Sequence, residues 1–295
     1  MGECGTGGES ADGLEPQVRG QSTLRSQSRL GPFVALTART WSLLKLSTDD
    51  CRFATAAVLD AVLAVALSPA CASCQASLEH PTDGPVCDAC WRSILPLTPP
   101  LCDRCGDPLR TWRSVQAAPS LCPRCRRLRS SVDRARAIGA YDGALRAIIH
   151  ALKYDGRRSL ADRLAALMRD RGADILTGAA CVVPVPLHAS RRRERGFNQA
   201  ADLARPLGLP VRHALRRVRA TPTQTGLPSA RRHRNVRDAF AATREAHTLG
   251  GTIVVLVDDV CTTGATLDAC ARVLKALGAA EVRALTAARV VAQPR

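Results

Sequence analysis

The chain has 295 residues, a formal net charge of +16, and 46% hydrophobic but only 3% aromatic residues. That length holds one large or two modest domains, and the apolar content supports a core of mainly Ala, Val and Leu, which excludes a chain too polar to fold. The charge is concentrated: between Arg191 and Arg237 thirteen Arg stand against Glu194 and Asp202, a net +11 over 47 residues, which reads as a solvated surface or as an anion-binding face for a polyphosphate or a nucleic acid.

Residues 1–50 are rich in Gly, Ser, Arg and Gln without a sustained period and read as a disordered tail, or as residues ahead of a later start codon. A helix over 51–70 leads into the next module. Its apolar stretch carries Asp60 near the middle and stops at Pro69, so no membrane span is expected; it also lies too far from Met1 for a signal peptide. Without a secretory signal, the thirteen cysteines point to metal rather than disulfides and to a cytoplasmic protein.

Eight of those cysteines form four CxxC pairs within 71–130: Cys71/Cys74, Cys87/Cys90, Cys102/Cys105 and Cys122/Cys125. Each pair lets two thiolates from one turn grip the same tetrahedral ion. Sequential pairing leaves gaps of 12 and 16 residues, both ordinary for zinc, so a double-Cys4 zinc-binding module is expected. One zinc with four unliganded cysteines, or interleaved pairing, stays open. With cysteine at every ligand position the Zn2+, one ion or two, is structural. Cys181, Cys261 and Cys270 read as core or loop residues without a metal role.

From about Arg134 to 292 strand and helix signals alternate. Strands are expected at 136–141, 180–186, 252–258 and 281–291, and helices at 144–154, 160–170 and 267–279. The continuous apolar runs ACVVPVP and TIVVLVD suit buried parallel strands, so the fold class is α/β, a parallel sheet flanked by helices with the Cys4 module N-terminal to it. VVPVPLH (182–188) leaves a strand through two prolines and enters an Arg run that turns helical after Gly196. Segment 217–240 combines Pro, Gly, Thr and Gln with many Arg and little periodicity, which predicts a long basic loop of the lid or binding type.

Strand 252–257 ends at Asp258 and Asp259; a turn through Thr262, Thr263 and Gly264 then opens a helix at Ala265 and Thr266. Ligands of open α/β sheets sit at the carboxyl ends of the strands, and a helix N-terminus there favours phosphate. Carboxylates repel phosphate but accept strongly from sugar hydroxyls. The segment therefore asks for a phosphate and a vicinal diol one sugar apart. A nucleoside triphosphate fits poorly, since no GxxxxGK[ST] is present.

VVLVDDVCTTGAT (254–266) resembles the 5-phosphoribosyl pyrophosphate (PRPP) signature of type I phosphoribosyltransferases. The resemblance implies that Asp258 and Asp259 hold the ribose hydroxyls and that Thr262, Thr263, Gly264, Ala265 and Thr266 hold the 5-phosphate, with Mg2+ accompanying PRPP. It also implies a pyrophosphate loop with contacts near His188 and from Arg195, and a lid contributing Gln224, Arg232 and Asn235. Thr262 stands where 6-oxopurine salvage enzymes have a catalytic acid, which argues against that chemistry.

RGFNQA (195–200), QTGL (224–227) with R..NVR.AF (232–240), and the 254–266 segment together resemble the competence protein F (ComF) family, as do the four CxxC pairs. Pro228 and Asp238 depart from the Ser and Gly usual there. The resemblance implies a PRPP-binding protein linked to DNA uptake in natural transformation, with single-stranded DNA and an uptake helicase or translocase as partners. The alternative is an active phosphoribosyltransferase of nucleotide salvage or synthesis with an unknown acceptor.

Overall fold

The computed structural model describes residues 48–109, 120–219 and 238–291, with side chains from 57 onward. Of the tail expected at 1–50, residues 1–47 lie outside the described residues, as do the lid positions Gln224, Arg232 and Asn235, while its last three residues open a helix.

Helix α1 (Thr48–Leu67) is tied down through Asp60, which accepts from the Thr82 backbone N–H at 2.8 Å and its hydroxyl at 2.7 Å. Val58, Leu59, Val62, Val65 and Leu67 of this helix are exposed. No helix among the described residues is long and apolar enough to cross a membrane.

Two copies of one local device follow. Ala70 bridges Ser77 around Cys71–Cys74, and Leu101 bridges Pro108 around Cys102–Cys105. In each the first cysteine accepts from the backbone N–H four residues on, Gln75 or Gly106, both at positive φ. The second CxxC of each copy opens a short helix, α2 (Asp88–Arg92) or α3 (Pro123–Arg127), with Cys87 or Cys122 at the N-cap. The copies are embedded differently. Cys71, Leu78, Val86, Trp91 and Ile94 of the first join the main core with Ile138, Leu145 and Ile149. Cys102, Leu109, Cys122 and Cys125 of the second form a small cluster of their own.

The sheet is built from β1 (Arg134–Ala140), β2 (Cys181–Pro184), β5 (Ile253–Cys261) and β6 (Glu281–Arg289) in the order β1-β6-β5-β2, all pairs parallel. Period-2 alternation divides β5: Val255 and Val257 face one core and Val254 and Leu256 the other. The first core is closed by α4 (Gly143–Tyr154), α5 (Leu160–Arg171), α6 (Ala173–Leu176) and α8 (Gln199–Ala204). In α4 the Asp142 carboxylate caps the Gly143 N–H, and Leu145, Ile148, Ile149 and Leu152 form the buried stripe of an amphipathic helix. Helix α9 (Ala265–Ala276) closes the second core with β3 (Leu215–Arg217) and β4 (Phe240–Ala242), an antiparallel pair.

Three expectations change. The strand expected to stop before the acids runs on to Cys261, because its ladder with β6 continues to Arg289; backbone pairing tolerates the acids when their side chains point off the sheet. The chain is helical after Gly196 as expected, in α8, but the Arg run before it is helical too, as α7 (Ala189–Arg195), which Gly196 at φ +77 ends. The 217–240 segment begins and ends in paired strands, Arg217 opposite Phe240, whose short length hid them among the arginines.

Candidate functional site

At the carboxyl end of β5, Asp258 and Asp259 point to opposite sheet faces and meet different surroundings. Asp259 is 4% exposed, and its Oδ1 lies 3.0 Å from Nζ of Lys153 in the last turn of α4. Its Oδ2 is buried without a hydrogen-bond partner among the described residues. Asp258 accepts from the Asp259 backbone N–H at 2.9 Å. Burial, and then the charge of Asp259, push the Asp258 carboxyl up to about 7, with Lys153 and Arg217 as opposing cations. Burial pulls the Lys153 ammonium toward its neutral form, but Asp259 outweighs it and holds the pKa above the ordinary lysine value.

Thr262 and Thr263 make the turn, and Gly264, at φ +73, is the left-handed residue from which α9 starts. No side chain caps the helix from the Gly264 position; the Thr263 hydroxyl instead accepts from the Ala265 N–H at 3.4 Å. The axis of α9 thus presents its positive end beside the acids, with Thr266 in the first turn. The second Cys4 copy closes over this turn. Arg124, inside its last CxxC, donates to the Thr263 carbonyl. Arg289 at the end of β6 pairs with Asp107 of that copy and donates to Cys261 Sγ at 3.2 Å. A cavity of about 600 Å³ lies between them, lined in part by Arg104, Arg129, Leu128, Gly264 and Leu267.

Beyond β2, His188 caps α7, its Nδ1 accepting from the Ser190 N–H at 3.3 Å. Arg195 donates to Gln199 Oε1 at 3.2 Å and lies over the Tyr154 ring, so it spans from the loop to α4. Asn198 fastens the loop, donating to the Val185 carbonyl at 3.1 Å and accepting from the Ala200 N–H. A second cavity, about 740 Å³, is lined by Arg158, Arg192, Arg205, Arg216 and Arg217 around Asp202. Asp202 takes two hydrogen bonds from Arg158, at 2.7 and 2.8 Å, and one from Arg205, neutralising part of this basic wall.

The eight cysteines gather in the sequential fours, Cys71, Cys74, Cys87 and Cys90, then Cys102, Cys105, Cys122 and Cys125, with the Sγ atoms of each set within 4.8 Å of one another. A zinc with four sulfurs at about 2.3 Å has S···S edges of about 3.8 Å. The observed separations are 3.9 Å for Cys71–Cys90, 3.8 Å for Cys74–Cys87 and 3.6 Å for Cys105–Cys122. Backbone N–H groups of Ser73 and Cys87 point at Cys71 Sγ, and that of Cys122 at Cys102 Sγ, as suits a thiolate. The residues fit structural zinc. Cys181, Cys261 and Cys270 are buried and belong to neither set.

With this geometry in view, comparison with known proteins is decisive. Competence protein F of Haemophilus influenzae is 31% identical over 229 residues, covering 74% of this chain and 96% of that protein. The chain belongs to the competence protein F family. The other relatives agree: the DNA utilization protein YhgH of Salmonella typhimurium is 34% identical over 67% of the chain and 87% of its own length, and competence protein ComFC of Bacillus subtilis 29% over 70% and 85%. The family descriptions "Double zinc ribbon domain" and "Phosphoribosyl transferase domain" match residues 62–126 and 193–294. The two cysteine sets are thus the two ribbons of a ComF protein.

Four residues at the site play parts that no sequence motif assigns. Arg124, Asp107 and Arg289 carry no local signal, since their roles arise from the docking of the second ribbon. Lys153 does carry one: it is among only three lysines, with Lys45 and Lys275, in a chain of 42 basic residues.

Proposed function

We propose that this ComF-family protein binds PRPP at the end of β5. The observation that carries the reading is the placement of two carboxylates beside the α9 N-terminus at the carboxyl edge of a parallel sheet. Asp258 and Asp259 accept the ribose hydroxyls, and the Thr262–Thr266 backbone and hydroxyls take the 5-phosphate. His188 and Arg195 serve the pyrophosphate with Gln224, Arg232 and Asn235 from the lid; Mg2+ arriving with PRPP shields its charge.

In this reading the ribbon module spans 71–130 with one structural zinc in each Cys4 set, and the PRPP-binding domain spans 134–292. The protein works in the cytoplasm during natural transformation, where its arginine surface handles incoming single-stranded DNA beside an uptake helicase or translocase. The names of its relatives, competence and DNA utilization proteins, support this assignment. Turnover of PRPP would need a group to activate an acceptor nitrogen, and the phosphate turn offers threonine hydroxyls but no acid or base.

Calorimetric titration with PRPP and Mg2+ tests the proposal. Binding by the wild type and its loss in the Asp258→Asn/Asp259→Asn variant are expected, with single-stranded DNA binding retained. A wild type that ignores PRPP would sink the reading. Pyrophosphate released from PRPP in the presence of a base or of single-stranded DNA would replace it with the transferase alternative.

A further inference from the structure

A lysine ammonium is strongly hydrated, and lysine is among the residues least often buried unless paired. Lys153 departs from that habit. It sits in the last turn of α4, where its four-carbon stem could reach water, yet its side chain is only 15% exposed and its Nζ lies 3.0 Å from Asp259 Oδ1. The other oxygen of that carboxylate, Oδ2, is buried with no partner among the described residues. A buried acceptor left open in this way costs stability, which a hydroxyl donor from a ligand would recover. One oxygen is held and its twin is left without a partner among the described residues.

From this geometry we propose that Lys153 is a positioning residue of the ribose site: its ammonium fixes Asp259 through one oxygen so that the other meets a sugar hydroxyl, and its charge favours the ionised form of Asp259 and of its neighbour Asp258. The inference rests on the PRPP reading above. Among the groups facing the pair, Arg217 adds a cation and the others are a phenol and two thiols. Lys153 and Tyr141 stand on the Asp259 side, and Arg217, Cys270 and Cys261 surround Asp258. Removing the Lys153 cation leaves two carboxylates side by side in a poorly solvated place, and such pairs retain a proton to a higher pH. A protonated acid accepts poorly from a sugar hydroxyl.

The test is calorimetric titration of the full-length protein with PRPP and Mg2+, from about pH 6 to about pH 9, alongside melting temperatures. The variants are Lys153→Met, Lys153→Arg and Lys275→Met; Lys275 pairs with Asp133 away from the acids and serves as the control. Lys153→Met is expected to lose about tenfold or more in affinity near neutral pH, the size of a one-unit pKa shift, with the deficit narrowing as pH rises. Lys153→Arg is expected to keep the wild-type pH midpoint, and Lys275→Met the wild-type affinity. Wild-type binding by Lys153→Met overturns the proposal. So does a loss that is the same at every pH with Arg no better than Met, which marks a packing role. If Lys153→Met does not fold, Lys153→Gln, which keeps a polar head without the charge, takes its place and is read by the same two criteria. A wild type that binds no PRPP fails the underlying reading, and fails it separately from these comparisons.

Discussion

Asp258 and Asp259 share a backbone but not an environment, and their chemistry divides accordingly. The Asp258 carboxyl, raised to about 7 by burial and by its neighbour, lies above the ordinary aspartate value in the folded state. The sign follows: protonation favours the fold, so this contribution is present at acid pH and lost as pH rises through about 7. Thermal melts of the ligand-free protein between about pH 5 and 8 should show that loss, and Asp258→Asn should flatten it. Ligand binding runs the other way. Sugar hydroxyls favour the ionised acid, so PRPP affinity should strengthen across the same interval with release of a proton, detectable by titration in buffers of different ionisation enthalpy. The acids and threonines were legible in the sequence because one contiguous segment carries both halves of the chemistry. The pairing of Lys153 with Asp259 was not, because the two stand on different elements and only the fold brings them within 3.0 Å.

At the scale of elements, the second ribbon docks on the Thr263–Gly264 turn, while the first is part of the core. Arg124 holds the Thr263 carbonyl from one side and Arg289 anchors the ribbon from the other. Arg124→Ala should therefore weaken PRPP binding several-fold with little change in melting temperature, whereas Trp91→Ala in the first ribbon should cost stability by about 3–5 kcal/mol, as large-to-small core changes do. Gly106 sits at φ +72 with Ala135 O only 2.6 Å from where a Cβ would lie. Gly106→Ala should cost about 1–2 kcal/mol for the left-handed backbone alone, with more from the clash, and should lower zinc retention on dialysis against a chelator. The ribbon pairing could be read from cysteine spacing, since tetrahedral coordination limits reach. How the ribbons dock could not, because Asp107 and Arg289 are 182 residues apart and neither stands in a motif. The α/β alternation was legible for a related reason: buried parallel strands are apolar throughout, as β2 is and as β5 is up to Asp258. The three-residue strands β3 and β4 are too short to show a period.

For the whole molecule, the arginine surface along α7 and β3 is the electrostatic counterpart of the chain's net charge. With few aromatics available to stack bases, single-stranded DNA binding should be dominated by phosphate contacts and fall steeply with salt. Replacing Arg191, Arg192 and Arg193 by Gln should reduce the slope of log K against log salt by about 2, at about 0.7 for each phosphate no longer neutralised. The duplication of the ribbon has a consequence of another kind. Two copies of one device are held to different standards, one by the core it helps fill and the other by the loop it leans on. Substitutions tolerated in the second copy would be sorted by whether ligand is still captured, and those in the first by whether the chain still folds. Saturation mutagenesis scored once for abundance and once for capture should separate the copies cleanly, so that the history of each is written in a different phenotype.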